Sequence, residues 1–301
     1  MKLATKIGDF YAYTKDALKC IDYAYECGFK YLDFSFFTPA IEEMGLLEDN
    51  YKEYLDKIIK KCNDLNVKFV QAHAPMGKPI TKNEDYDGYM KALYRSIECS
   101  AYLGIEYLVV HSGHQRGILK EENFIKNKEF FLPVLDFAQN LGVKILTENL
   151  NLMKCPDEWY WTETVEDVKE LVEYINHPNL YVCYDVGHAN MQPVPQQEQL
   201  KVLGGLIKAI HVQDNNGGAD YHLPPLVGTT NYDSVMKGLI DIGFNGYFTL
   251  EASNIFMNKD FKTPFEENRL ALLPIEFRLK GEKLMYEVAK YILQTYNCFE
   301  E

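Results

Sequence analysis

Hydrophobic positions along this chain switch repeatedly between two spacings. Short runs rich in Val, Ile, Tyr and Phe lie near 3–7, 31–36, 68–73, 106–111, 144–148, 180–185, 207–212 and 246–251, and read as β-strands. Between them, apolar residues recur at helical spacing in Asp16–Cys27, Tyr51–Leu65, Tyr89–Leu103, Asn127–Leu141, Thr164–Ile175 and Tyr232–Ile242. Gly28, Gly104, Gly142 and Gly243 follow four of these stretches, where a helix ends best on a residue that tolerates the left-handed conformation. The helix–glycine–strand junction recurs as ECGFKYLDFSF, YLGIEYLVVH, NLGVKILTEN and DIGFNGYFTLE. Eight strands alternating with helices, and no Pro/Gly/Ser-rich linker, predict an α/β chain folded as a single (β/α)8 TIM barrel over 1–301, with a C-terminal helix near 276–296. An open doubly wound sheet is the alternative, but it would gather residues from six strand ends less completely.

The ends of the strand runs carry the chemistry. His73 ends FVQAH, His111 follows YLVV, Glu148 ends KILTE, Asp185 and His188 stand in YVCYDVGH, and His211 falls in IKAIHVQD. Asp220 and His222 follow in ADYH, and Glu251 in YFTLEA. In a barrel these nine groups face one mouth, and imidazoles with carboxylates make a ready set of divalent-metal ligands. Glu148 and Glu251 each follow an apolar run with no basic residue beside them in sequence. A carboxylate buried there without a partner is costly, which points to a metal or catalytic role. The D-x-H spacing of Asp220 and His222 sends both side chains one way if that segment is extended; a surface loop with an Asx-turn is the alternative. His73 and His111 read as ligands, substrate contacts or hydrogen-bonded plugs of the barrel top. Arg116, in HSGHQRG, is a candidate for holding a substrate oxyanion or phosphate, with a solvated loop arginine as the alternative. Trp159 and Trp161, in the loop NLNLMKCPDEWYWTET, are expected to wall the site.

Composition narrows the partners. The net charge of −13 disfavours nucleic acid, whose phosphates attract an excess of Lys and Arg. No apolar run approaches a membrane span. Seven cysteines, none in a C-x-x-C pair, suggest reduced thiols and a cytoplasmic setting. Cys183 reads as packing rather than a nucleophile. A homo-oligomer is allowed but not required. The chain has no G-x-S-x-G elbow, Walker loop, H-E-x-x-H or dinucleotide-binding glycine motif.

TEN, YDVGHAN, IHVQDN and TLEA, in that order, resemble the xylose-isomerase-like superfamily of barrels over nearly the whole chain. That superfamily includes sugar isomerases and epimerases of the tagatose-3-epimerase type, inosose-processing enzymes and endonuclease IV. The resemblance to the epimerases implies one divalent metal, Mn or Zn first among the options, held by Glu148, Asp185, His211 and Glu251. It implies that the two glutamates move a proton next to a carbonyl through an enediolate, and that His188 contacts a small sugar substrate. The same deprotonation could instead end in elimination, as in a lyase or dehydratase. The nine residues together also resemble the ligand pattern of endonuclease IV, a zinc phosphodiesterase, which would raise the count to three ions by adding His73, His111, His188, Asp220 and His222. Gly217 stands about where tagatose-3-epimerase-type enzymes present a substrate-binding arginine.

Overall fold

The computed structural model describes residues 1–37, 40–151, 162–255 and 273–301. The strands are β1 (Lys2–Lys6), β2 (Tyr31–Ser35), β3 (Lys68–His73), β4 (Tyr107–Val109), β5 (Lys144–Glu148), β6 (Leu180–Asp185), β7 (Ile207–Val212) and β8 (Tyr247–Leu250). Each is parallel to the next, and β8 pairs with β1, so the sheet closes into a (β/α)8 barrel. The helices are α1 (Tyr11–Thr14), α2 (Ala17–Glu26), α3 (Tyr51–Leu65), α4 (Tyr86–Tyr102), α5 (Lys120–Asn140), α6 (Val165–Ile175), α7 (Val186–Asn190), α8 (Gln196–Leu203), α9 (Tyr232–Asp241) and α10 (Ile275–Thr295). Among the described residues no helix is long and apolar enough to cross a membrane.

Helix limits depart from the sequence pattern where tertiary or terminal effects dominate. The α5 helix begins seven residues before Asn127, and its polar first turn carries Glu121 and Glu122, which suit the positive end of the helix dipole. Neither α7 nor α8 was legible as a helical repeat. The first is short and starts where the Asp185 side chain accepts the His188 backbone N–H at 2.7 Å, an N-cap made by a residue that also faces the barrel interior.

Period-two alternation sorts every strand into two faces. Outward-pointing Leu32, Phe34, Leu108, Ile145, Val182, Ile210 and Phe248 join the main core under the helices. Inward-pointing Val109, Leu146, Cys183 and Ala209 form a separate small cluster, floored by Tyr107 and Tyr181. Two residues further along the same faces come His111, Glu148, Asp185 and His211, so the apolar layer lies directly beneath a polar one. The other half of the interior is polar at the lower level too. Gln71 Nε2 donates to Asp33 Oδ2 at 2.7 Å, and Thr249 Oγ1 donates to Gln71 Oε1 at 3.0 Å.

The C-terminal helix is fastened to the first strand by buried charge. Arg278 Nη2 reaches Glu282 Oε2 at 2.9 Å and Asp9 Oδ2 at 3.2 Å, its Nη1 donates to the Ser253 carbonyl at 2.6 Å, and Thr5 Oγ1 donates to Glu282 Oε1 at 2.8 Å. Glu282 is fully buried, so removing its cation strands a charge in a low-dielectric environment. Arg278→Met is expected to destabilise the protein by about 3–5 kcal/mol, with Arg278→Met/Glu282→Leu recovering much of that loss. Urea unfolding checks both, and a single-variant loss under about 1 kcal/mol would show that the network is solvated rather than buried.

Candidate metal centre

The nine strand-end residues meet at the C-terminal mouth of the barrel in three connected sets. Glu148, Asp185, His211 and Glu251 form the central one, each offering a ligand atom within 4.8 Å of the others. His211 Nδ1 lies 3.2 Å from Glu148 Oε1 and 3.4 Å from Glu251 Oε2. Asp185 Oδ1 accepts the His188 N–H and, at 3.3 Å, Gln213 Nε2. Asp185 Oδ2 is buried with no hydrogen-bond partner, the state of a carboxylate oxygen shaped for a cation rather than for a protein donor. His73, His111 and Glu148 make a second set, and His188, Asp220 and His222 a third.

Histidine orientation strengthens the case for ligation. His73 Nδ1 lies 2.9 Å from the Ala74 carbonyl, His188 Nδ1 2.8 Å from the Asn149 carbonyl, and His222 Nδ1 2.8 Å from the Glu251 carbonyl. A carbonyl only accepts, so each Nδ1 carries a hydrogen and each Nε2 is turned toward a carboxylate, as in metal-ligating histidines. His73 Nε2 and His111 Nε2 are 3.1 Å apart, with Glu148 Oε2 3.3 Å from the latter. His188 Nε2 and His222 Nε2 both point at Asp220 Oδ2, at 3.3 and 3.2 Å. Atoms that are acceptors when neutral thus face one another, and only a proton or a metal ion between them removes the conflict. The donor set fits a divalent ion that accepts imidazole and carboxylate together.

Electrostatics follows from the same crowding. Burial drives the His73 imidazole down to about 4, and neighbouring His111 adds to the shift, so its Nε2 lone pair is free at neutral pH. Burial opposes charge on His188 and His222. Asp185 and Asp220 nonetheless carry His188 up to about 10, and the hydrogen bond from His222 to Asp220, together with the charge of Glu251, carries His222 up to about 9. Burial pushes Asp185 up to about 7 against the pull of His188. Burial also resists ionisation of Glu148 and Glu251. His211 and His111 hold Glu148 well below the usual carboxylate range, and Lys6 and His211 do the same for Glu251.

Lys6 is the main residue that sequence reading missed. Its Nζ is buried 3.2 Å from Glu251 Oε1 and 3.6 Å from Asp9 Oδ1, so Glu251 has a basic partner after all, supplied by β1, the strand that pairs with β8. Two rungs of backbone-like support were missed as well. Asn149 Oδ1 accepts the Asp185 N–H at 2.9 Å, and Gln213 Nε2 donates to Asp220 Oδ1 at 2.8 Å; both follow strand ends within the TEN and HVQD motifs. Asp220 and His222 converge for a different reason than strand alternation. Their segment is not extended, His222 has φ 48°, and the loop is folded back by paired backbone bonds between Asp214 and Leu223 at 2.9 and 2.8 Å. Asp214 also accepts the N–H groups of Gly228 and Thr230. At Gly217 the loop turns with φ 75° and places no side chain. Arg116 lies exposed in the β4–α5 loop. Trp159 and Trp161 fall outside the described residues. Cys183 is buried beneath the centre with its thiol pushed up to about 12 by burial, so it is un-ionised at neutral pH.

The chain belongs to the xylose isomerase-like TIM barrel family, whose model matches residues 21–267. Fructoselysine 3-epimerase of Shigella flexneri is 25% identical over 187 residues, covering 61% of this chain and 66% of that protein. The chain spans just under two thirds of the length of the curated relatives it matches first. Among solved structures, a D-tagatose 3-epimerase-like protein superposes with a TM-score of 0.74 at 21% identity, over 99% of this chain and 98% of that one. The IOLI protein, solved with a zinc atom, superposes with a TM-score of 0.70 at 20% identity, over 98% and 99%. At these identities the structural likeness establishes the fold.

The metal-free protein should lose stability as pH rises. His188 and His222 bind protons more tightly folded than unfolded, so their contribution is complete below 6.5 and is lost as pH climbs through about 9 and 10. The raised Asp185 value pulls the same way between 3.8 and about 7, while the depressed glutamates act only at acid pH. Tm in chelator should therefore fall from pH 6.5 to 10, and Asp220→Asn should flatten that fall. A native Tm that stays level across the window would refute the coupled arrangement.

Proposed function

We propose that this chain is a metal-dependent sugar isomerase or epimerase, acting on a ketose, sugar phosphate or keto-polyol at the carbon beside its carbonyl. The observation that carries the reading is the buried set Glu148, Asp185, His211 and Glu251, whose ligand atoms lie within 4.8 Å of one another. The fructoselysine 3-epimerase relative supports the reaction class. Bound by these four residues, a divalent ion would polarise adjacent carbonyl and hydroxyl oxygens as a Lewis acid and acidify the proton between them.

The protein's own groups supply the proton transfers. Both glutamates are held ionised, so either can accept a proton from carbon. Lys6 distinguishes them. Its ammonium stands 3.2 Å from Glu251 Oε1 and holds that carboxylate ionised, which makes it the weaker base. In this reading Glu148 removes the proton, giving an enediolate, and Glu251, once it has taken a proton from solvent, returns one from the other side. His188, turned toward Asp220 beside the centre, is placed to hold a substrate hydroxyl. Glu148→Gln and Glu251→Gln should each lower turnover by roughly 10²–10⁴-fold, with Tm checking the fold and elemental analysis the bound metal. Deuterium incorporation from solvent next to the carbonyl identifies the step, and product analysis separates epimerisation from elimination. A Glu148→Gln protein that still exchanged the carbon-bound hydrogen at the native rate would sink this mechanism.

A second reading has its own observation. Two further histidine–carboxylate sets flank the central one, and Glu148 is shared between two of the three, which favours a three-zinc phosphodiesterase resembling endonuclease IV. The net charge of −13 weighs against a duplex substrate. Metal counting decides: one ion per chain with turnover of keto-sugars supports the isomerase, whereas three zinc ions with cleavage of abasic DNA would replace it.

A further inference from the structure

Beside the metal-ligand cluster, between the loops that follow β2 and β3, lies a cavity of about 740 Å³. That is within the range of small-molecule sites, roughly 300–1,000 Å³. Phe37 links it to the histidine cluster. Phe37 lines the cavity and meets the His73 ring edge-on with centroids 4.9 Å apart. The Lys6 Nζ lies 5.6 Å from the same Phe37 centroid. A substrate whose reacting carbon sits among Glu148, Asp185, His211 and Glu251 would therefore send its other end past Phe37 into this space.

The walls and rim define what that end is. Phe37, Tyr86 and Tyr89, each partly exposed, provide aromatic surface. Tyr89 is seated closely because residue 77 has no side chain; a Cβ on Gly77 would fall 2.1 Å from Tyr89 Cδ2. Around these rings stand Glu42, Glu84 and Asp85 against one base, Lys78. Three acids to one base exceeds the 44 to 31 of the whole chain, and no ion pair among the described residues occupies these three carboxylates. Aromatic faces ringed by unpaired carboxylates attract an organic cation through both ring quadrupole and net field. They disfavour a phosphate or carboxylate there.

We propose that this cavity receives the non-reacting end of the substrate and selects an aliphatic chain ending in an ammonium group. The inference rests on the keto-sugar reading of the metal centre. Three conjugates of 1-deoxyfructose test it: those of butylamine, 1,4-diaminobutane and 4-aminobutanoate, which differ only in a neutral, cationic or anionic far end. Calorimetric titration of the metal-loaded protein should rank the diaminobutane conjugate at least about tenfold above the aminobutanoate one, a gap of roughly 1.4 kcal/mol. Glu42→Gln/Glu84→Gln/Asp85→Asn, checked for native Tm, should bring the three conjugates within about twofold. Equal affinities in the native protein, or a preference that survives in the triple variant, would overturn the proposal. Cationic preference without epimerisation of any conjugate keeps the cavity assignment and removes the keto-sugar reading. Turnover of plain ketoses with no preference among the conjugates does the reverse.

Discussion

Concentrated negative charge inside the barrel mouth is the constraint on which the rest of the site depends. Glu148, Asp185 and Glu251 are buried there with Asp220 beside them, and carboxylates in such a place need cations or hydrogen-bond donors. The structure supplies several. His188 and His222 share Asp220, His211 bridges the two glutamates, and Lys6 reaches Glu251 from β1. Asp185 Oδ2 is left without a hydrogen-bond partner, and it belongs to a set of four residues that could hold a metal ion. Without a metal, histidine protons do the neutralising, which is why two of these imidazoles hold their protons so tightly.

Barrel architecture makes the concentration tolerable. Directly below the ligands, Val109, Leu146, Cys183 and Ala209 keep half of the interior dry, while Asp33, Gln71 and Thr249 bond one another on the other half. Backbone carbonyls fix three of the histidine rings, so the imidazoles are aimed before any ligand arrives. Preorganisation of this kind is what separates a working constellation from a loose collection of polar side chains. The Arg278–Glu282–Asp9 network and the Thr5–Glu282 hydrogen bond then tie α10 to β1, the strand that carries Lys6, and to the turn that follows it.

The eight strands, the closing C-terminal helix and the nine strand-end residues were legible because each rests on a local signal. Alternation marks strands, glycines mark helix ends, and a polar residue at the end of an apolar run marks a strand mouth. Lys6 was invisible for the opposite reason. In MKLATKIGDF it is one lysine among several, and only the closure of β1 against β8 sets it beside Glu251. Asn149 and Gln213 sat within recognised motifs, yet their roles depend on donors and acceptors presented by neighbouring strands. Asp220 and His222 come together with His188, but through a loop that the Asp214–Leu223 backbone bonds fold back, not through the extended segment on which the spacing argument depended.

Sequence by itself determined the periodicities, hence the alternating strands and helices, the barrel they close into, and the residue types that stand at its mouth. Those features are set by neighbours a few residues apart. Tertiary structure alone decided how the nine residues divide into three sets, which imidazole nitrogen faces inward, which cation partners Glu251, and where the cavity beyond Phe37 opens. Each of these depends on atoms brought together from strands far apart in the chain, where distances of a few ångströms decide whether two groups repel, share a proton or hold an ion.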